Sequence, residues 1–264
     1  MSQHDFFARQ KLIPDFNQDV LTNSTVLVLG LGGLGTNVAI GLCRLGVGKM
    51  FIVDYDVVDD HNLNRQILYG KQHIGKSKVE SSLQSLNELH NLVTEIIPCE
   101  MNVLTNWDKV VDLAKQSTFI FNMIDVGDCF DFAVQSLALS LKIPLCQGGT
   151  FQSTATVDFL KPEGLPCLAC INDSQFEPEL MSKLLTDKIQ GIKDLSFIPR
   201  DSNPTGQSTF LVACQCSNMM TSCFYNHVMN KIDSPTRTIF YISDFQSLTW
   251  QMDPSPNCPL CKPK

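Results

Sequence analysis

The sequence predicts an α/β fold: a Rossmann-like, doubly wound and mainly parallel sheet with antiparallel strands at its C-terminal edge. Three observations carry this prediction. Over residues 1–150, short apolar runs alternate with helical patterns, as in a parallel sheet covered on both faces. A glycine-rich hexapeptide, GLGGLG (30–35), stands between the first such run and the first helix. From residue 151 the period changes to two, the mark of a half-exposed antiparallel strand.

Taken in order, TVLVLG (25–30) is a β-rich run ending at glycine, and a helical stretch follows from Gly33 to about Leu45. KMFIVD (49–54) is the second strand, and a helix is expected from Gly75 to His90. Further strands are expected at Val93–Cys99, TFIFNMI (118–124) and PLCQG (144–148), with helices between them. In FQSTATVDF (151–159), Phe151, Ala155, Val157 and Phe159 share one face; Gln152, Thr154, Thr156 and Asp158 share the other, solvent-facing one. A long loop is expected over roughly 171–207, opening on Asn172, Asp173 and Ser174 and closing with RDSNPTG. A helix from about Ser208 to Asn230 follows, and two strands, TIFYIS and Phe245–Met252, close the chain.

The 264 residues suffice for one large domain with a substantial core. Hydrophobic content of 44% and charged content of 18% are ordinary for a globular protein. A net charge of −7 argues against nucleic acid as a main partner, because phosphate backbones select basic faces. The start, MSQHDFFARQ, lacks the basic and apolar stretches of an export signal, and no apolar run is long enough to cross a membrane. With 11 scattered cysteines, the expectation is a reducing cytoplasm in which four of them bind metal and the rest are free thiols.

In GLGGLG, Gly30, Gly32 and Gly35 allow a tight turn, close backbone approach and close helix–strand packing, with Gly33 at the helix start. The N–H groups of a helix start then face a phosphate. Asp54, ending the second strand, has the spacing of a ribose-binding carboxylate. The motif alone does not separate NAD, FAD and ATP, nor does it exclude a ligand-free junction. The segment HNLNRQILYGKQHIGKSK (61–78) supplies the cations that a triphosphate needs beyond the helix N-terminus. Arg65 follows Asp54 by eleven residues and Lys78 follows Arg65 by thirteen; Arg suits forked contacts and Lys acts as a point charge. On spacing alone, solvated surface charge explains them equally well.

GLGGLG, DYD (54–56), NLNRQ (62–66) and GKSK (75–78), in this order, resemble the ubiquitin-activating-enzyme-like adenylyltransferases, the group of ThiF, MoeB and HesA. FFARQ near the start is similar to the family's RYxRQ, with Phe6 in place of its first arginine, and Val126 stands where the family commonly has Asn. The resemblance covers nearly the whole chain and implies a single adenylation domain, 1–264. Residues 1–24 would contact a dimer partner, 25–150 bind the nucleotide, and 151–264 form the mixed sheet, crossover loop and zinc site. It also implies roles. Asp54 would bind the ribose of ATP, with Asp56 in the same motif. Asn62 and Arg65 would contact the phosphates, and Lys78 would neutralise their charge. Asp125 would bind Mg2+, and Arg9 would reach into the partner's site in a homodimer.

CLAC (Cys167, Cys170) and CPLC (Cys258, Cys261) are two C-x-x-C knuckles, and four thiolates in two close pairs satisfy tetrahedral Zn2+ with no open position. Many members of the family pass the activated acyl group to a loop cysteine, but residues 171–207 contain none. Cys214, Cys216 and Cys223 lie in a stretch that reads as a buried helix, and Cys214 is the remaining candidate nucleophile. The expected reaction is adenylation, without a loop thioester, of the C-terminal carboxylate of a ubiquitin-like or sulfur-carrier protein ending in Gly-Gly. Alternatives are a peptide C-terminus, as in MccB-like enzymes, and a non-catalytic partner subunit. An NAD-dependent oxidoreductase explains the glycines and Asp54 but leaves the cationic segment and the zinc tail without a purpose.

Overall fold

The computed structural model describes residues 5–91, 93–161, 167–171, 182–184, 188–198, 207–230 and 237–251. Its strands are β1 (Thr25–Leu29), β2 (Lys49–Asp54), β3 (Glu95–Glu100), β4 (Phe119–Asn122), β5 (Leu145–Phe151), β6 (Thr154–Leu160), β7 (Arg237–Tyr241) and β8 (Gln246–Trp250). Its helices are α1 (Gln18–Thr22), α2 (Gly33–Leu45), α3 (Lys78–Ser85), α4 (Trp107–Lys115), α5 (Asp128–Leu141), α6 (Leu168–Ile171) and α7 (Phe210–Val228).

The strands form one sheet in the order β3-β2-β1-β4-β5-β6-β7-β8. β3 through β5 are mutually parallel; β5–β6, β6–β7 and β7–β8 are antiparallel. β1, β2 and β4 are almost wholly buried, which explains their near-continuous apolar sequence. β3 is the edge strand and tolerates Pro98, which cannot donate to a ladder. One face of the sheet, with Val26, Val28, Phe121, Cys146 and Phe159, packs on α2, α3 and α7. The other, with Leu27, Leu29, Ile120, Leu145 and Leu160, packs on α4 and α5.

Four expectations need adjusting. The helix expected from Gly75 begins at Lys78, because Gly75 has φ +81° and Ser77 is the N-cap, its side chain accepting the Glu80 N–H. The strand expected over 118–124 ends at Asn122, where the chain leaves the sheet to form the site loop. Asp158 is not solvent-facing: it is 5% exposed and pairs with Arg237 on β7 (2.6 and 2.8 Å). The stretch 171–207 is more than a surface loop. Leu184, Ile189, Leu195 and Ile198 are buried against α4 and α5, and the Trp107 indole N–H donates to the Ile189 carbonyl at 3.1 Å.

Candidate active site

The order of the sheet reverses at β1: the chain runs outward through β2 and β3, then crosses back to β4 on the other side. The C-terminal ends of β1 and β4 therefore form the topological switch point, the usual ligand position in a doubly wound sheet. Gly30 has φ +93°, and a Cβ there would lie 2.9 Å from the Met123 carbonyl oxygen, so the turn rests against the chain leaving β4. A Cβ on Gly35 would come within 1.8 Å of the Gly30 carbonyl oxygen, which locks the first turn of α2 onto the strand. Gly32 is the N-cap of α2 and makes no side-chain cap bond, leaving the first-turn N–H groups for an anion.

Asp54 ends β2 and is 5% exposed. Its Oδ2 accepts the Leu31 N–H (2.7 Å), and its Oδ1 accepts the N–H groups of Tyr55 (2.7 Å) and Asp56 (2.9 Å). The carboxylate thus ties β2 to the glycine turn, which its spacing in the sequence did not reveal. Asp56 in turn accepts from Lys78 Nζ at 2.8 Å, and the Lys78 side chain is only 8% exposed. Backbone pairing of 56–58 with 75–78 sets this geometry: Val58 N–H donates to Lys76 O, Gly75 N–H to Val58 O and Lys78 N–H to Asp56 O.

Arg65 lies on the other side of the turn. Its Cγ would be 3.3 Å from a Cβ on Gly33, so its stem lies along the start of α2. Its guanidinium donates to the His61 carbonyl (3.1 Å) and Asn64 Oδ1 (2.9 Å), and makes no ion pair among the described residues. Asn62 is buried, and its Oδ1 accepts the Asp59 N–H (3.0 Å) to close the turn ahead of Arg65. Gln66, which sequence reasoning passed over, is 3% exposed, and its Oε1 has no hydrogen-bond partner among the described residues.

Asp125 is exposed, just beyond the Met123 and Ile124 atoms that face Gly30. Asn122 holds the loop that carries it. The Asn122 Oδ1 accepts the Ile124 N–H (3.3 Å), and its Nδ2 donates to Asp131 on α5 (2.7 Å). Burial pushes the Asp131 carboxyl up to about 8; the Asn122 hydrogen bond opposes this, and Asp128, Asp158 and Asp125 add to it. Neither Asn122 nor Asp131 stood out in the sequence, since a polar residue ending an apolar strand signals nothing by itself.

Arg9 is exposed and far from its own chain's turn. Its neighbour Gln10 donates to the Leu45 carbonyl (3.1 Å), at the opposite end of α2 from Gly33. A helix of that length spans roughly 20 Å. Cys214 sits where α7 crosses the start of α2, its thiol donating to Asn37 Oδ1 (3.1 Å), and burial raises its pKa. Cys216 is pushed up to about 12, chiefly by burial, and Cys223 is buried. Neither Cys214 nor Cys216 is therefore primed as a thiolate.

Cys167 is buried next to α5, where Gln135 Oε1 accepts the Leu168 N–H. The Cys167 and Cys170 sulfurs are 3.8 Å apart. Cys258 and Cys261 lie outside the described residues. Among the described residues no cluster of three or more His, Cys, Asp or Glu could hold a metal, and no helix is long and apolar enough to cross a membrane.

Comparison with known proteins fits this arrangement. The chain is 30% identical over 175 residues to the adenylyltransferase and sulfurtransferase MOCS3-1 of Zea mays, covering 62% of this chain and 35% of that protein. It is 37% identical over 122 residues to the probable adenylyltransferase/sulfurtransferase MoeZ of Mycobacterium tuberculosis, covering 45% and 30%. The chain thus spans about a third of the length of these relatives. Among solved structures, E. coli MccB with MccA-N7isoAsn superposes with a TM-score of 0.75 at 20% identity, over 100% of this chain and 76% of that one. PaaA superposes with a TM-score of 0.69 at 18% identity, over 90% and 67%. At these identities the superpositions establish the fold. The ThiF family model matches residues 7–260, and the chain belongs to the ThiF family.

Proposed function

We propose that this protein is an ATP-dependent adenylyltransferase acting on the C-terminal carboxylate of a ubiquitin-like or sulfur-carrier protein ending in Gly-Gly. The observation that carries this reading is the convergence on one glycine turn of Arg65 along Gly33, Lys78 on Asp56, and Asp125 just past the backbone that touches Gly30. A dinucleotide diphosphate needs no such ring of charge beyond the helix N-terminus, whereas a triphosphate does. The relatives named as adenylyltransferases support the same activity.

In this reading a substrate carboxylate oxygen attacks the α-phosphorus, and the bond to the bridging oxygen breaks. Pyrophosphate leaves, and an acyl-adenylate remains. No general base is required, because the carboxylate is already ionised at neutral pH. Asp54 binds the ribose while holding Leu31, and the α2 N–H groups with Asn62 and Arg65 hold the phosphates. Lys78 moves from Asp56 to the charge developing on the leaving group. Catalysis is then positioning and charge neutralisation. Asp125 would hold Mg2+, which would supply further positive charge to the phosphates. Arg9 acts in trans, since roughly 20 Å of helix separates its anchor from its own turn; the functional unit is a homodimer.

Zn2+ held by Cys167, Cys170, Cys258 and Cys261 would be structural. The observed sulfur separation of 3.8 Å matches the edge of a ZnS4 tetrahedron with bonds of about 2.3 Å. A peptide substrate is the second reading, favoured by the lack of cysteine in 171–207, which removes the usual thioester acceptor. Carboxylate-dependent exchange of labelled pyrophosphate into ATP tests the proposal, with Gly-Gly-ending carriers and short peptides as alternative substrates. Exchange with a carrier supports the first reading, and exchange with peptides alone the second. ATP binding without any exchange overturns both in favour of a non-catalytic partner subunit.

A further inference from the structure

We propose that Tyr69 is a positioning residue for phosphate binding: by holding the Leu31 carbonyl, its hydroxyl aims the Gly32 N–H at the nucleotide. The inference rests on the reading of the glycine turn as an ATP-phosphate site. Tyr69 is 7% exposed. Its hydroxyl donates to the Leu31 carbonyl at 2.8 Å, lies 3.0 Å from Ser82 Oγ, and is 3.4 Å from the Lys78 carbonyl. A phenol has one proton to give, so the shorter carbonyl contact takes it and Ser82 donates to the phenol oxygen. Burial pushes the Tyr69 phenol pKa up and keeps it protonated; the Ser82 bond opposes this and Asp54 and Asp56 reinforce it. The hydroxyl is therefore a permanent donor.

Leu31 is thereby held at both ends, its N–H on Asp54 and its carbonyl on Tyr69. No backbone N–H among the described residues donates to that carbonyl. The Leu31 carbonyl and the Gly32 N–H belong to one planar trans peptide, so they point in opposite directions. Anchoring the carbonyl inward on Tyr69 turns the Gly32 N–H outward, at the N-cap of α2 where an anion would sit. Without the anchor this peptide is free to flip, because Gly32 accepts backbone angles closed to other residues. The same hydroxyl also ties together the three pieces that carry the site. These are the glycine turn, the segment continuing from Arg65 (Tyr69 N–H donates to Gln66 O, 3.1 Å) and α3 with Lys78.

Tyr69→Phe removes only the oxygen, and calorimetric titration of parent and variant with ATP and with adenosine reads the effect. ATP binding should weaken about tenfold, the usual effect of losing one hydrogen bond to a charged group. Adenosine binding should stay near the parental value, while the urea midpoint falls modestly because the Leu31 carbonyl loses its donor. Ser82→Ala, which keeps the phenol proton on Leu31, should bind ATP close to the parent. Unchanged ATP binding in Tyr69→Phe overturns the inference. So does equal weakening of ATP and adenosine, which would mean a merely structural role. A parent that binds ATP no better than adenosine overturns instead the phosphate-site reading, and this inference with it.

Discussion

Lys78 and Arg65 flank the glycine turn in two different states. Lysine is almost never buried unless paired, and Lys78 is held against Asp56 with little of its side chain exposed. Arg65 keeps its charge without a carboxylate among the described residues. Both fit groups reserved for an anionic ligand, so Arg65→Ala and Lys78→Ala should each slow pyrophosphate exchange by a factor on the order of 10²–10³. Near-parental rates in either variant would remove that residue from the mechanism. Asp131 makes a separate prediction. Its carboxyl moves from an ordinary 3.8 to about 8 on folding, so the fold favours the protonated form. That contribution is complete below about pH 4 and is lost as pH rises through about 8. Asp131→Asn mimics the neutral form and should gain on the parent between pH 5 and pH 8, by at least about 1.4 kcal/mol in urea unfolding, the equivalent of one pKa unit. Identical pH dependence of the two proteins would contradict this.

Among the elements, the parallel strands and their helices were legible, because complete burial leaves a continuous apolar run such as Val26–Leu29 that allows few alternatives. The alternation in 151–159 correctly announced an antiparallel strand but misplaced Asp158. Periodicity assigns a side chain to a face; it cannot show that the face is covered or that a cation 79 residues away pairs with it. The Asp158–Arg237 fork joins β6 to β7 with side chains 7% and 17% exposed. Arg237→Ala would leave a buried, uncompensated carboxylate and should cost about 3–5 kcal/mol. Asp158→Asn in that background should recover part of the loss, which chemical denaturation can read; no recovery would mean that the pair contributes through packing alone. The segment 188–198 falls within the loop expected over roughly 171–207, yet Ile189, Leu195 and Ile198 are core residues.

For the whole molecule, the second C-x-x-C pair is some ninety residues from the first in sequence. A shared Zn2+ would therefore tie the chain's end to α6, beside α5. We expect about one zinc per chain by elemental analysis. Cys167→Ser should remove it and lower the unfolding midpoint, whereas Cys223→Ser, changing a buried core thiol, should keep it. Full stability in a metal-free protein would refute the structural zinc. By itself, the sequence determined the class of fold, the glycine turn, the cationic segment and the cysteine pairs, because each rests on short-range spacing that local backbone geometry translates directly. Only the tertiary structure decided which groups face one another. It tied Asp54, expected as a ribose-binding carboxylate, to the Leu31 N–H of the glycine turn, and stacked Asn122 and Asp131 behind the Asp125 loop. It also set Arg9 a helix length from its own turn and brought the Tyr69 hydroxyl to the Leu31 carbonyl. Such contacts join residues tens of positions apart, and their energies depend on burial and direction, which a linear pattern does not contain.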